Sequence, residues 1–289
     1  MNKKRAFLLS MIIFASLFLF GCVNTDNINS SESSKARSES LSGNIYTIKC
    51  YNVGKGDAFL IYGNDSAVMI DTGYKENGED LVDDMKDLGI DSLDCMMISH
   101  FDKDHVGGAV KIIKNMEVKR VISTYQTNEK KHTNKFFNAV LDNGLKDEVF
   151  TENTSFTIGD VNYDIYPPQK EEYDDKEDNN SSLLVKMTYG DFSMLFTGDA
   201  QTERLSEYSS YNNLASTVLK FPYHGHYQDY LSDLIKECDP KYAIITSSDD
   251  QPEDELTVQL LENAGVSTYL TRKGDVIIQT NGSDVSIKQ

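Results

Sequence analysis

The order of apolar runs along this chain predicts an α/β sandwich with a site at the edges of its sheets. Two observations carry the prediction. The chain reads as two halves, each opening on short strands and continuing in helix–strand units. One turn, Ser99-His100-Phe101-Asp102-Lys103-Asp104-His105-Val106-Gly107-Gly108, places two imidazoles and two carboxylates within six residues, between an apolar strand and a helical pattern. Donors on such a turn stand at the carboxyl end of a sheet, held well enough for a metal ion. Imidazole with carboxylate suits zinc, manganese or iron better than calcium or magnesium.

The elements follow in order. Tyr46 to Asn52 alternates as a strand and ends in a Gly-rich turn, Val53-Gly54-Lys55-Gly56-Asp57. Ala58 to Tyr62 and Ala67 to Ile70 are strands joined by the hairpin signal Gly63-Asn64-Asp65. Asp71-Thr72-Gly73 closes the third strand, and Glu79 to Leu88 has helical spacing that stops at Gly89. The apolar run from Leu93 to Ile98 leads into the His/Asp turn, and Ala109 to Met116 is helical. Val118 to Ser123 is a strand and Asn134 to Leu141 a helix. Strands return at Ser155 to Ile158, Val161 to Tyr166, Ser182 to Tyr189 and Ser193 to Phe196. The acidic stretch from Lys170 to Asn180 reads as a solvated loop between them. The last third alternates strand (Thr217 to Lys220), helix (Tyr230 to Cys238), strand (Tyr242 to Thr246) and helix (Glu253 to Ala264). Short strands near Thr268 to Leu270 and Val276 to Thr280 close the chain.

Composition bounds the function. The 289 residues carry a net charge of −18. Such a surface repels polyanions at long range and counts against tight, non-specific nucleic-acid binding. A small anionic substrate held by metals remains compatible with it. Asn2-Lys3-Lys4-Arg5 is a basic n-region before the apolar Ala6 to Phe20, which is too short to span a bilayer comfortably. It ends in Leu19-Phe20-Gly21-Cys22, which resembles a bacterial lipobox and implies a lipidated Cys22. Val23 to Gly43, rich in Ser, Asn and Thr, reads as a tether, with the globular domain at 44–289. The expectation is an extracytoplasmic domain anchored to the membrane through lipid. Cys50, Cys95 and Cys238 match no zinc ribbon or disulfide framework; Cys50 and Cys95 sit in strand patterns as buried thiols.

The motifs together resemble the metallo-β-lactamase fold, and within it the extracellular hydrolase-like domain of ComEC-type DNA-uptake channels. Six match in the family's order: Gly54-Lys55-Gly56-Asp57, Asp71-Thr72-Gly73, Ser99 to Gly108, Asn179-Asn180-Ser181-Ser182-Leu183, Thr197-Gly198-Asp199, and Leu219 to His226. The resemblance implies a metallo-β-lactamase-like αββα sandwich. It implies two divalent metal ions, zinc or manganese, with His100 and Asp102 on one, Asp104, His105 and His224 on the other, and Asp199 bridging. The chain departs from typical metallo-β-lactamases at Asp102, where they carry His. It has no His between His132 and His224, where they carry a ligand. It also departs from the ComEC group at Tyr223, His226 and Gln251. Loss of imidazoles makes the first site harder and more tolerant of manganese.

The same assignment has a physical basis. Two divalent ions roughly 3.5–4 Å apart need a bridging carboxylate to offset their repulsion. Such a pair activates water and stabilises charge on the attacked centre. Asp71 is expected to orient a ligating histidine, and Asp57 to stand at the mouth of the site. Asp104 and His226 are the candidate catalytic groups, His226 as general acid or extra ligand. Asn179 and Asn180 are candidates for polarising substrate oxygens. Lys220 either meets a substrate phosphate or is simply solvated at a strand end, and His132 reads as surface. Three functions fit: a phosphodiesterase, with DNA or a small diester as substrate; an esterase, amidase or lactamase; or a binding lipoprotein with weak catalysis.

Overall fold

The computed structural model describes residues 41–125, 129–173 and 178–289, so Cys22 and its leader lie outside the described residues. The strands are β1 (Tyr46–Cys50), β2 (Ala58–Gly63), β3 (Ser66–Thr72), β4 (Ser92–Leu93), β5 (Cys95–Ile98), β6 (Glu117–Val118), β7 (Val121–Ser123), β8 (Asp147–Val149) and β9 (Thr154–Ile158). They continue as β10 (Val161–Tyr166), β11 (Leu184–Tyr189), β12 (Phe192–Phe196), β13 (Val218–Lys220), β14 (Tyr242–Ile245), β15 (Ser267–Leu270), β16 (Val276–Thr280) and β17 (Val285–Lys288). The helices are α1 (Asn77–Asp87), α2 (Ala109–Asn115), α3 (Lys131–Asp142), α4 (Thr202–Ser206), α5 (Leu231–Cys238) and α6 (Glu255–Asn263).

The strands form two large sheets. One has eight strands in the order β17-β16-β1-β2-β3-β5-β7-β8, the other seven in the order β15-β14-β13-β12-β11-β10-β9. Their inner faces share one core, in which Ile48, Phe59, Val68 and Met97 of the first sheet meet Tyr163, Val185, Met194 and Phe196 of the second. Phe59 and Phe196 touch edge to face across this seam, 5.2 Å between ring centroids. The outer face of the first sheet is covered by α1, α2 and α3 through Leu81, Met85, Ile112 and Phe136. The outer face of the second is covered by α4, α5 and α6 through Leu205, Leu234 and Leu261. The layering is therefore αββα, as expected. Both faces of β5 (Cys95-Met96-Met97-Ile98) are buried, which is why it reads as a continuous apolar run without alternation.

Each sheet changes character at one strand. β3 pairs antiparallel with β2 and parallel with β5. β12 pairs antiparallel with β11 and parallel with β13. Loops leaving the carboxyl ends of the parallel strands diverge from one another and leave room for a site, and the two sheets place those ends together.

Several sequence expectations need correction. Val118 to Ser123 is two strands: β6 pairs with β4 in a small separate sheet, and β7 joins the large one. β8, β17 and the short α4 carry too few residues to show a period and were not anticipated. The acidic stretch is solvated only at Lys170, Glu171 and Glu172, while Asp178-Asn179-Asn180-Ser181 is a buried 3-10 turn. Residues 174–177 of that stretch lie outside the described residues. Cys50, Cys95 and Cys238 are free and buried, as read for the first two, and burial pushes the Cys95 and Cys238 thiols up to about 12.

Candidate metal centre

The residues of the site come from loops at the carboxyl ends of β1, β3, β5, β12, β13 and β14. The β5–α2 turn is anchored before any side chain acts. The His105 carbonyl accepts from the Thr72 amide at 2.7 Å and from its hydroxyl at 2.8 Å, and the Asp104 carbonyl accepts from the Asp57 amide at 3.0 Å. Gly108 permits this approach, since a Cβ there would collide with the Thr72 carbonyl. Phe101 packs on Phe136 and Phe137 and ties the turn to α3. On the opposite sheet, Tyr223 and His224 both take left-handed backbone conformations (φ 48° and 53°) directly after Pro222. Strain of this kind persists only when the surroundings hold it, and here it turns His224 inward, fully buried.

Three imidazoles, those of His100, His105 and His224, are wholly buried. Each is oriented by its Nδ1. His105 Nδ1–H donates to Asp71 Oδ2 at 2.8 Å. Ser99 Oγ donates to the same carboxylate oxygen at 2.6 Å and so accepts from His100 Nδ1–H at 3.0 Å. Thr246 Oγ1 donates to Asp57 Oδ1 at 2.7 Å and accepts from His224 Nδ1–H at 3.0 Å. Two carboxylates, directly or through one hydroxyl, thus set the tautomer of all three rings and leave each Nε2 lone pair facing inward. None of the three Nε2 atoms has a hydrogen bond. Burying an unsatisfied polar atom is unfavourable, and three such atoms in one place call for a ligand.

Two of them converge on Asp199. His224 Nε2 lies 2.8 Å and His105 Nε2 3.3 Å from Asp199 Oδ2, close yet without hydrogen-bond geometry. Ligands sharing one ion are spaced this way, since bonds of about 2.0–2.1 Å put tetrahedral ligands roughly 3.3 Å apart. Asp57, His105, Asp199 and His224 each offer an atom within 4.8 Å of the others. Asp104 Oδ2 is 3.7 Å from His224 Nε2, and Asp102 Oδ2 is 3.8 Å from His100 Nε2. The residues present therefore fit divalent metal.

The charges point the same way. At this site Asp57, Asp71, Asp104 and Asp199 are buried beside the buried cation Lys220. Lys220 is the clearest departure from expectation: it is neither solvated nor open to substrate. Its Nζ lies 2.5 Å from Asp57 Oδ2 and 3.4 Å from Asp199 Oδ1, and donates to the Gly198 carbonyl at 2.8 Å. Burial works against its charge, but Asp57 and Asp199 raise its pKa above the ordinary value. Burial also works to raise Asp199 and Asp71, yet the charges of His224, His105 and Lys220 around the first, and of His105 beside the second, hold both below the carboxylate range. Burial works to lower His105, but Asp199, Asp57 and Asp71 raise it well above its ordinary value, while burial and His105 together lower His100.

The remaining expected residues are placed as follows. Asp102 accepts from Lys130 at 2.7 Å, and Lys130 also pairs with Asp178 at 2.9 Å. Asn180 Oδ1 accepts from the Gln201 and Arg204 amides and so holds the start of α4. Asn179 lines the cavity over the carboxylates, with its Oδ1 free of hydrogen bonds among the described residues. His226 is not brought to that cavity: it is partly exposed, 3.6 Å from Asp254 and tilted over Tyr223. His132, read as surface, is half-buried, its Nε2 2.7 Å from the Phe101 carbonyl. Sequence reasoning missed Lys130, Thr246 and Tyr74. Tyr74 lines the same cavity, and burial with the nearby Asp104 and Asp199 pushes its phenol up to about 12. Its place directly after Asp71-Thr72-Gly73 was the available signal.

The family model described as the metallo-beta-lactamase superfamily matches residues 51–247. ComE operon protein 3 of Bacillus subtilis (strain 168) is 27% identical over 215 residues, which cover 68% of this chain and 27% of that protein. Recombination protein 2 of Haemophilus influenzae is 25% identical over 215 residues, covering 72% of this chain and 25% of that protein. The chain thus spans about a quarter of the length of these curated relatives. Among solved structures, the metallo-beta-lactamase fold protein YhfI of Bacillus subtilis superposes with a TM-score of 0.53 at 11% identity, covering 85% of this chain and 100% of that one. The diiron beta-hydroxylase CmlA of Streptomyces venezuelae superposes at 0.50 with 12% identity, covering 79% of this chain and 53% of that one. These likenesses show the fold alone, and CmlA illustrates that one fold carries different chemistries.

Proposed function

The chain belongs to the metallo-β-lactamase superfamily, and from that premise we propose that it is a metal-dependent phosphodiesterase held outside the cytoplasmic membrane. The observation that supports metal dependence is the convergence of two buried, hydrogen-bond-free Nε2 atoms, those of His105 and His224, on the Asp199 carboxylate. His105, His224 and Asp104 would hold one ion, His100 and Asp102 a second, with Asp199 between them. Bound there, divalent ions supply Lewis acidity toward a phosphoryl oxygen and activation of water near neutral pH.

The protein's own residues do the rest. Asp71 and Asp57 keep the imidazoles in the ligating tautomer through Ser99 and Thr246. Lys220 neutralises part of the carboxylate charge and fixes Asp57 and Asp199. The cavity above the site, about 780 Å³, is lined by Lys55, Lys103 and Lys130 together with Asp102, Asp104, Glu129, Asp178 and Asp199; with divalent ions on the inner carboxylates, Lys55 and Lys103 would favour an anionic diester over a neutral ester or lactam. Tyr74 lines the mouth of the same cavity, where its phenol O–H can reach a leaving oxygen. It is better placed for that role than His226. The oxygen-rich first site and the ComEC likeness support the phosphodiester class. The lipobox at Cys22 supports the location.

The test is hydrolysis of bis-p-nitrophenyl phosphate by the full chain, stripped of metal and refilled with Mn²⁺ or Zn²⁺, with Asp199→Ala alongside. Metal-dependent turnover that disappears in the variant is expected. No turnover with either metal, with hydrolysis of a chromogenic ester or lactam instead, overturns the phosphodiester reading.

A further inference from the structure

Lys130 stands at the turn into α3 and reaches into the metal cavity. Its Nζ donates to Asp102 Oδ1 at 2.7 Å and lies 2.9 Å from Asp178 Oδ2. The other oxygen of Asp102 is 3.8 Å from His100 Nε2, an atom that is buried and without a hydrogen bond. One carboxylate is therefore shared between an ammonium and an imidazole lone pair. The two metal positions differ accordingly. The first has the imidazoles of His105 and His224 and the carboxylates of Asp57, Asp104 and Asp199 around one ammonium, that of Lys220. That lysine is sealed in place, fully buried and bonded to the Gly198 carbonyl. The second has one imidazole and one carboxylate of its own, already held by a lysine that is only half-buried.

We propose that Lys130 is a built-in competitor for the second metal ion: its ammonium guards Asp102, so the centre fills in two unequal steps and the second ion enters only at higher metal concentration. This rests on the reading of the cluster as a two-ion centre and adds a control on its loading. The physical reason is like-charge repulsion. A divalent ion bridging His100 and Asp102 would sit across one carboxylate from the ammonium, in a partly buried place where water screens poorly. The guard has somewhere to go. Asp178, buried on its 3-10 turn, already takes the same Nζ, so the ammonium keeps a partner when Asp102 turns to metal. The backbone stays put meanwhile, because the Lys130 carbonyl accepts from the Asn134 amide at 3.0 Å in the first turn of α3. A lysine that merely oriented Asp102 as a ligand would have the opposite effect, since such partners strengthen metal binding. The sign of one substitution separates the two.

Titration of the metal-depleted full chain with Mn²⁺, with free ion followed by electron paramagnetic resonance, tests this without any substrate. The parent is expected to bind two ions, the second about 10–100-fold more weakly than the first, the range over which partners of a ligand shift metal affinity. Lys130→Met, of similar length and without charge, is expected to tighten the second step tenfold or more and leave the first within twofold. Lys130→Arg, which keeps the charge and both carboxylate partners, is expected to retain most of the parent's gap. Asp178→Asn, which takes away the alternative acceptor, is expected to weaken the second step severalfold. A variant that had only lost its fold would not tighten binding, so the opposite signs at Lys130 and Asp178 are the signature. His100→Ala is expected to abolish the second step and keep the first, which identifies the position being filled. An unchanged or weakened second step in Lys130→Met would overturn the guard and leave the two-ion centre standing. A parent chain that binds no Mn²⁺ would remove the metal-dependent reading itself, and the guard with it.

Discussion

Asp71 shows how much a single residue carries. Its backbone is in the left-handed region (φ 53°), and its carboxylate takes the Ser99 amide, the Ser99 hydroxyl and the His105 ring. Asp71→Asn keeps the shape but offers an amide where His105 needs an acceptor. Metal affinity is expected to fall 10–100-fold, with activity recovered at higher metal concentration; competition with a chelating dye measures it. Lys220 makes the opposite kind of contribution. Lys220→Met leaves Asp57 and Asp199 buried without their cation, and removing one partner of such a pair costs about 3–5 kcal/mol. Bound metal restores positive charge at the same carboxylates. The melting temperature of this variant is therefore expected to fall steeply without metal and to recover on loading, by a larger interval than in the parent protein. Equal intervals in the two proteins would refute the shared electrostatic role.

Elements place these residues, and the short ones were the least legible. The β5–α2 turn was readable because its donors are neighbours in sequence, on an apolar run bounded by Gly107-Gly108. β8 was not, since three half-exposed residues have no period. Its Asp147 accepts from Ser123 at 2.7 Å, and burial, with Glu148 beside it, pushes its carboxyl up to about 6 from 3.8. The sign follows from linkage. The fold favours the neutral acid, so this group's contribution is fully present below about pH 4 and is lost as pH rises through about 6. Asp147→Asn, always neutral, is expected to raise the melting temperature at pH 7–8, by roughly 2–4 °C per kcal/mol recovered. Little change is expected at pH 4. Scanning calorimetry at both pH values checks it, and an equal shift at both would refute the titration.

Among the described residues two large sheets bring their carboxyl edges to one buried Asp/His cluster, so a metal bound there should report on global stability. Ligands that bind only the folded state stabilise it by mass action, about 2.7 kcal/mol at a hundredfold excess over Kd. Mn²⁺ or Zn²⁺ is expected to raise the melting temperature of the parent chain in a concentration-dependent way, and to leave Asp199→Ala nearly unmoved. What the sequence determined by itself was local and periodic. It carried the α/β sandwich order of strands and helices, the buried thiols of Cys50 and Cys95, and the ligand-bearing turns, because strand alternation, helical spacing and loop motifs are properties of neighbouring residues. What only the tertiary structure decided were partnerships through space. Thr246 and Asp57 are 189 positions apart yet share a hydrogen bond that orients His224. Lys220 looked solvated at a strand end and is sealed between two carboxylates. Lysines scattered from 75 to 135 in an acidic chain meet in one groove. Spacing along the chain holds no information about which distant turns a sheet edge brings together; packing of the two sheets does that.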